Sequence, residues 1–332
     1  MTMLGVNLAS ALIDGIREAI GPQAAYYALA AVGLNVQFGY AGLMNFGHIA
    51  SALVGAYGAA ITVDQGGSLW LGILIGVVCA GLLGLLMGLP TLRLRADYLA
   101  IATISVAEIV RVLVNSRLVQ DVTGGPIGIN HIADELYDIN PIPEGRYGIG
   151  SITFNQNRLF TLLIGWTLVI AASLLVRSWT RSPWGRVLKA VREDEDATRS
   201  LGKNVFAVKL QAFVIGSVIG GVAGVIFMFD GGTVKPDFFL AQTTFNWYLV
   251  VILGGVASIL GPPVGAMVFW FVIAAFNSIL TQALGRDGWW IIEANDAGAI
   301  RYVLVGFTIV LLLIFRPQGL FGNAEEARIV NH

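Results

Sequence analysis

Long apolar runs limit the possible folds of this chain more than any other feature. They recur along most of the 332 residues, and shorter polar segments separate them. A helix needs about 20 mostly apolar residues to cross the hydrocarbon core of a bilayer. The runs predict spans at 23–38, 47–63, 69–89, 97–115, 159–177, 206–229, 245–260, 263–283 and 300–315.

The same runs indicate helices and not a barrel. Backbone groups in lipid must satisfy their own hydrogen bonds, so only helices and closed barrels cross a membrane. Barrel strands alternate apolar and polar residues over about ten positions, and these runs do not alternate. Only 12% of the residues are charged, against about 25% in soluble domains. We predict an all-α polytopic membrane protein with about nine transmembrane helices, within a range of about eight to ten.

Lysine and arginine in the loops predict the orientation, because cytoplasmic loops are enriched in both. The 178–205 loop holds six of them, whereas the 116–158 loop holds three against five acidic residues. The first loop is therefore predicted to be cytoplasmic, and the second is predicted to lie outside. An amphipathic segment at 1–22 precedes the transmembrane domain, residues 23–316, and a cytoplasmic tail at 317–332 follows it.

Glycine is frequent inside the predicted spans. Gly216, Gly220 and Gly224 lie about one helical turn apart, and small residues at this spacing let helix backbones approach closely in lipid. Ordinary tight packing and a mobile helix interface both fit this pattern. Because the 23–63 region is also rich in glycine, one segment within it could be re-entrant instead of spanning.

One internal segment concentrates charge in this otherwise apolar chain. The stretch RSPWGRVLKAVREDEDATRSLGKN, residues 181–204, holds ten of the chain's 41 charged side chains. Ser182, followed by proline, is a helix-start pattern. Further on, acidic residues at 193–196 precede Arg199, as the dipole of a second helix favours, and Gly202 ends that helix.

The second of these helices is too short to be stable alone in water, so it needs a partner surface. A solvated charged loop is the alternative interpretation. Two features favour docking: Ala197, Thr198 and Leu201 lie beside the charges, and the capping residues define a helix.

Six segments carry a likeness to a known family. In chain order they are GLNVQFGYAGLMNFGHIA (33–50), ATISVAEIVRVLVNS (102–116), TGGPIGI (123–129), VREDEDATRSLGKNVFAVKLQAF (191–213), GGVASILGPPVGA (254–266) and FRPQGLFG (315–322). Together they resemble the branched-chain amino acid permease family, LivM branch. The resemblance covers about residues 25–322.

This resemblance implies a subunit of an ATP-driven importer in the inner membrane of a bacterium or archaeon. In that family two permease subunits form the channel, two ABC ATPase subunits dock on the cytoplasmic face, and a periplasmic or extracellular binding protein delivers substrate. ATPase closure would drive alternating access. The implied ATPase-coupling residues are Glu193, Asp194, Glu195, Asp196, Ala197, Arg199, Leu201 and Gly202.

ATP and Mg are expected on the partner ATPases and on no site of this chain. A phosphate-binding loop needs Gly-Lys followed by Ser or Thr, and none of the four lysines is followed by either. The three histidines show no metal-ligand spacing, and no G-x-S-x-G nucleophile motif is present. A net charge of −1 argues against a nucleic-acid partner. We predict that the chain is not an enzyme and binds no cofactor or metal.

Two pairs of polar residues, in or at the start of the spans, are candidates for a substrate pathway. Glu108 and Arg111 lie three residues apart and face the same side of a helix. They either lock this helix by pairing with each other or meet the charges of a zwitterionic amino acid. Asn45 and His48 lie at the start of the second span, where a hydrogen-bonded histidine at a helix start competes with a pathway role.

A third candidate lies in the outer loop. Thr123, Gly124 and Gly125 belong to a glycine-rich turn. Its adjacent backbone N–H groups could meet a carboxylate of the substrate or of a docking protein, and a bare turn is the alternative.

The expected substrate is a branched-chain or other small apolar amino acid, and the same resemblance also allows urea or short-chain amides. The competing class is a secondary transporter driven by an ion gradient. It would show buried carboxylates in several spans and broken helices in repeated halves. The spans hold one such carboxylate, Glu108, and show no internal repeat.

Overall fold

Helices form most of the chain in the computed structural model, which describes residues 7–284, 303, 306, 307, 310, 314, 316 and 318–322. Most of the predicted span at 300–315 and of the predicted tail at 317–332 lies outside the described residues. The α-helices are α1 Leu8–Ile20, α2 Pro22–Leu34, α3 His48–Asp64, α4 Leu69–Thr91, α5 Ala96–Val114, α6 Gln120–Thr123, α7 Asp134–Asp138, α8 Gln156–Arg181, α9 Pro183–Glu193, α10 Glu195–Ser200, α11 Val205–Gly231, α12 Ala241–Gly254 and α13 Gly261–Leu284.

Eight of the predicted spans coincide with α2, α3, α4, α5, α8, α11, α12 and α13. By length and composition, α4, α8, α11 and α13 can each cross a membrane, and a pair bent by 56°, Asp97–Val114 with Arg117–Thr123, could be a fifth span. The helices α2 and α12 have 13 and 14 residues. At about 1.5 Å per residue, neither is as long as a bilayer core of about 30 Å is thick. The count of nine spans therefore stays a prediction.

The all-α description needs one correction, because short strands connect the helices. Strand β1, Ile129–Asn130, pairs antiparallel with β4, Thr233–Val234. Strand β2, Arg146–Ile149, pairs antiparallel with β3, Ile152–Asn155. These strands leave no periodic signal in the sequence because they are only two to four residues long.

Helix α11 packs against α2, α3, α4 and α8. Glycine makes these contacts possible. A Cβ atom at Gly55 of α3 would lie 2.3 Å from the Gly221 carbonyl oxygen, and one at Gly224 would lie 2.0 Å from the Ala52 carbonyl oxygen. These backbones are therefore in direct contact, as the glycine spacing predicts.

Helix α1 packs along α13 in the opposite direction. The Asn7 backbone N–H donates to the Gln282 side chain at 2.7 Å, and Ser278 donates to Asp14 at 2.8 Å. Ala11, Gly15 and Ala19 of α1 are buried, whereas Leu8, Leu12 and Ile16 are exposed. The predicted amphipathic segment is thus a helix with distinct faces, and its place at a membrane surface stays a prediction.

The two ends of the bundle carry different connections. The Arg93 guanidinium lies 5.9 Å from the ring centre of Phe206, which places residues 92–95 beside the start of α11. We call this end, with residues 92–95 and 182–204, the basic end. At the opposite end, the far end, Tyr137 donates to the Phe229 carbonyl at 2.5 Å.

Candidate functional site

The charged segment at the basic end folds as two helices joined at a single extended residue. Asp194 has φ −152° and ψ 106°, and its side chain accepts a hydrogen bond from the Ala197 N–H at 2.9 Å. Helix α10 therefore begins at Glu195 with Asp194 as its cap. Gly202 follows with φ +75°, the left-handed conformation in which glycine commonly ends a helix.

One capping prediction is wrong. Ser182 precedes α9 as the sequence indicates, but its side chain caps no N–H group. Its hydroxyl instead donates to the Trp179 carbonyl at 2.6 Å. That carbonyl lies in the last turn of α8, where carbonyl groups have no partner within the helix.

Salt bridges connect α10 to α11. Glu195 bonds the ammonium group of Lys209, on α11, and also lies 3.0 Å from Arg199. Arg199 lies 3.1 Å from Asp196 as well. Thr198 is buried, whereas the Leu201 side chain is 78% exposed. Glu195 therefore links α10 to α11.

A buried polar cluster lies where α2 gives way to α3. After Leu34 the chain continues as a π-helical segment, Asn35–Tyr40. Such wide turns often occur at functional positions. Gln37 donates to the Phe213 carbonyl of α11 at 2.7 Å and accepts a hydrogen bond from Asn45 at 2.9 Å.

Asn45 holds the turn that leads into α3. Its side-chain oxygen accepts a hydrogen bond from the Gly47 N–H at 3.0 Å. His48 is the first residue of α3 and is fully buried, with Nε2 3.2 Å from the Ala30 carbonyl oxygen. This geometry agrees with a hydrogen-bonded histidine at a helix start, and a pathway role for either residue stays a prediction.

Asn45→Ala is expected to destabilise the protein, because it leaves two buried polar groups, on Gln37 and Gly47, without their partner. Each unsatisfied group costs about 1–3 kcal/mol. The measurement is the melting temperature of the detergent-purified chain. Asn130→Ala, at an exposed position of the far end, is the control and should change it little. Equal melting temperatures for the two variants would contradict this role of Asn45.

Glu108 and Arg111 pair as their spacing predicts. The Arg111 guanidinium donates to both Glu108 oxygens, at 2.5 and 3.0 Å, and lies 3.4 Å from Asp237. The Glu108 side chain is 48% exposed and that of Arg111 is 15% exposed. Arg111 thereby joins α5 to the segment before α12.

A neutral substitution separates the two interpretations of this pair. The Glu108 carboxylate is about half exposed, and exposed ion pairs contribute about 0–1 kcal/mol, so Glu108→Gln should leave a folded protein with a nearly unchanged melting temperature. We expect uptake into vesicles to fall while assembly is retained. Loss of assembly together with uptake would assign the pair a locking role instead.

The Thr123 turn does not expose free N–H groups. The Gly124 N–H donates to the Gln120 carbonyl at 2.9 Å, and the Gly125 N–H donates to the Thr123 hydroxyl at 3.3 Å. Thr123 itself is buried and bonds the Val114 carbonyl at 2.8 Å. The expected carboxylate contact with these two N–H groups therefore does not fit this geometry, and the bare turn does.

Helix α5 runs past all three groups of pathway candidates, although these described residues do not meet in one pocket. Near the basic end, its buried Thr103 accepts a hydrogen bond from the Phe46 N–H at 3.1 Å. Glu108 and Arg111 follow along α5, and Thr123 contacts its end. Neither Thr103 nor Gln37 could be predicted as a functional residue, because single polar residues in apolar runs carry no signal of their own.

Among the described residues, no group of three or more His, Cys, Asp and Glu side chains is arranged to hold a metal ion.

Comparisons with known proteins agree over most of the chain. A family model described as "Branched-chain amino acid transport system / permease component" matches residues 18–313. The chain is 33% identical over 306 residues to the high-affinity branched-chain amino acid transport system permease protein LivM of Escherichia coli (strain K12), covering 89% of this chain and 67% of that protein.

Two further relatives come from the same comparison. The chain is 24% identical to the corresponding permease protein LivH of the same Escherichia coli strain, covering 91% of this chain and 93% of LivH. It is 26% identical to the nucleoside ABC transporter permease protein NupC of Lactococcus lactis subsp. cremoris, covering 87% of this chain and 88% of NupC.

Proposed function

The chain belongs to the family of branched-chain amino acid transport permeases, and from this membership we propose that it imports branched-chain or other small apolar amino acids. It is a permease component of an ABC transporter and not the ATPase. The observation that carries the substrate proposal is the 33% identity with a LivM protein over 89% of the chain.

Uptake in reconstituted vesicles tests the substrate. The full chain, with its partner subunits and ATP, should accumulate labelled leucine, and unlabelled isoleucine and valine should compete. A nucleoside is the second candidate, favoured by the 26% identity with NupC, and urea is the third. Uptake of uridine or urea without uptake of leucine would contradict the proposal.

The proposed topology has nine spans in an inner membrane, with the basic end in the cytoplasm. The six Lys and Arg residues of the 178–205 loop support this orientation. The far end would then receive substrate from a periplasmic or extracellular binding protein.

One of two ABC ATPase subunits would dock at residues 193–202 of this chain. Three features support this proposal: the side-chain cap of α10, its salt bridge to α11 through Glu195, and the exposure of Leu201. ATPase closure would push α10 and, through Lys209, move α11. Because α11 packs on α2, α3, α4 and α8, this motion would change which face of the bundle is open.

A second permease subunit would complete the pathway. One side of α5 is exposed and carries Ser105 and Glu108 among apolar residues such as Ile101 and Ile109. A charge on a helix face at membrane depth favours a protein partner or a water-filled path over lipid. The likeness to both LivM and LivH supports a partner that is similar but not identical.

A further inference from the structure

A cleft of about 800 Å³ opens at the basic end, beside α10. Its walls include apolar residues such as Leu92, Leu99 and Val205. Six cationic side chains also line it: Arg93, Arg95, Arg192, Arg199, Lys203 and Lys209. Among the described residues that line the cleft, Glu195 is the one carboxylate.

The cations of the cleft exceed what this carboxylate can neutralise. Glu195 already bonds both Arg199 and Lys209. Within the described part of the chain, Arg93, Arg95 and Lys203 form no salt bridge, although Arg93 lies over the ring of Phe206. Three exposed cations thus surround a space that has no matching anion.

Two helix N-termini add to this positive potential. Helix α5, of 19 residues, begins directly after Arg95, and its first turn has no side-chain cap. Helix α11, of 27 residues, begins at Val205, which lines the cleft, and the Asn204 side chain caps one of its first N–H groups, that of Ala207. The start of a helix carries partial positive charge and unpaired N–H groups. Asp97, in the first turn of α5, offsets part of this potential but does not line the cleft.

An exposed apolar stripe lies on α4, the helix that precedes Arg93 and Arg95. Along α4 the exposed side chains are uniformly apolar: Leu71, Leu74, Ile75, Val78, Leu82, Leu85, Leu86 and Leu89. Unlike the exposed side of α5, this stripe holds no charge. It ends at Leu89, about one helical turn before Arg93.

We propose that this cleft binds the phosphate headgroup of an anionic phospholipid whose acyl chains lie along α4. Basic pockets between helix ends bind such headgroups in other membrane proteins. The apolar stripe favours a lipid over free phosphate. Acyl chains that lie along α4 would end near Leu89 and place their headgroup close to Arg93. A protein partner needs no such stripe.

Native mass spectrometry tests this proposal on the full chain, purified with its partner subunits and stripped of lipid. The protein is mixed with equal amounts of phosphatidylglycerol, cardiolipin and phosphatidylcholine. We expect the anionic lipids to be retained at least tenfold more than phosphatidylcholine. The triple variant Arg93→Gln, Arg95→Gln, Lys203→Gln should lose this preference.

The control removes the same charge elsewhere. Arg177→Gln, Arg181→Gln and Arg186→Gln together change three exposed cations that do not line the cleft, and this variant should keep the preference. If the triple cleft variant does not fold, Lys203→Glu alone should reduce anionic lipid retention at least threefold.

Three results would overturn the proposal. The first is equal retention of anionic lipid by the wild type and the cleft variant. The second is displacement of the lipid by 10 mM inorganic phosphate, which would assign the cleft to a soluble anion. The third is loss of the ATPase subunits from the cleft variant with unchanged lipid retention, which would assign the cleft to a protein contact.

Discussion

Gly55→Leu is expected to prevent the chain from forming a stable bundle. Helix α3 contacts α11 backbone to backbone at this position: a Cβ at Gly55 would lie 2.3 Å from the Gly221 carbonyl oxygen and 2.6 Å from its Cα. Real Cβ atoms do not approach backbone so closely, so the two helices must separate. Overpacking a core costs about 1–3 kcal/mol where side chains can shift, and more where backbone must move.

The expected loss of folding free energy is large because α3 and α11 lie at the centre of the bundle. Moving α3 from α11 also disturbs α4, which packs on both. We expect a loss of roughly 3 kcal/mol or more, a large part of the 5–15 kcal/mol by which domains are typically stable. Size-exclusion chromatography in mild detergent should show an aggregated protein in place of a single sharp peak.

Gly231→Leu is the matched control for this experiment. Gly231 is the last residue of α11, and a Cβ there would meet nothing within 4 Å. This variant should elute and melt as the wild type does. A Gly55→Leu protein with the wild-type melting temperature would show that α3 and α11 do not pack as described.

Leu201→Asp is expected to uncouple the permease from its ATPase while leaving it folded. The Leu201 side chain is 78% exposed at the end of α10, so a charge there costs the free chain little. Burying a leucine in a partner surface contributes about 1.5–3 kcal/mol, which corresponds to roughly a 10- to 150-fold change in affinity. Co-purification of the ATPase subunits and substrate-stimulated ATP hydrolysis should both fall by at least tenfold.

Leu118→Asp controls for the introduced charge. Leu118 is 93% exposed and lies at the far end, away from α10. This variant should retain its ATPase subunits. If Leu201→Asp also retains them and hydrolyses ATP normally, α10 is a solvated loop, and the docking proposal for residues 193–202 fails.

Local signals in the sequence predicted much of this molecule. Apolar runs located eight of the described helices to within a few residues at most ends, because burial in lipid demands uniform apolarity over each helix. The Glu108–Arg111 pair and the helix end at Gly202 were also predictable. Both depend on residues close together in the chain, where helix geometry and φ preferences decide the outcome.

Local signals in the sequence could not predict contacts between segments that lie far apart in the chain. The sequence indicated that Gly224 packs closely but not that its partner is Ala52, since the choice of neighbour depends on how all the helices fit together. Nor could it place Gln37 against Phe213, or show that the N–H groups of Gly124 and Gly125 already have acceptors.

The sequence by itself determined a helical membrane protein, its family and its charged segment. Apolar length, motif order and charge are properties of short stretches of chain. Only the tertiary structure decided that Glu195 joins α10 to α11 and that Arg93, Arg95 and Lys203 surround one cleft. Arg93 and Arg95 precede Lys203 by about 110 residues in the sequence, and helix packing alone brings them within reach of one another.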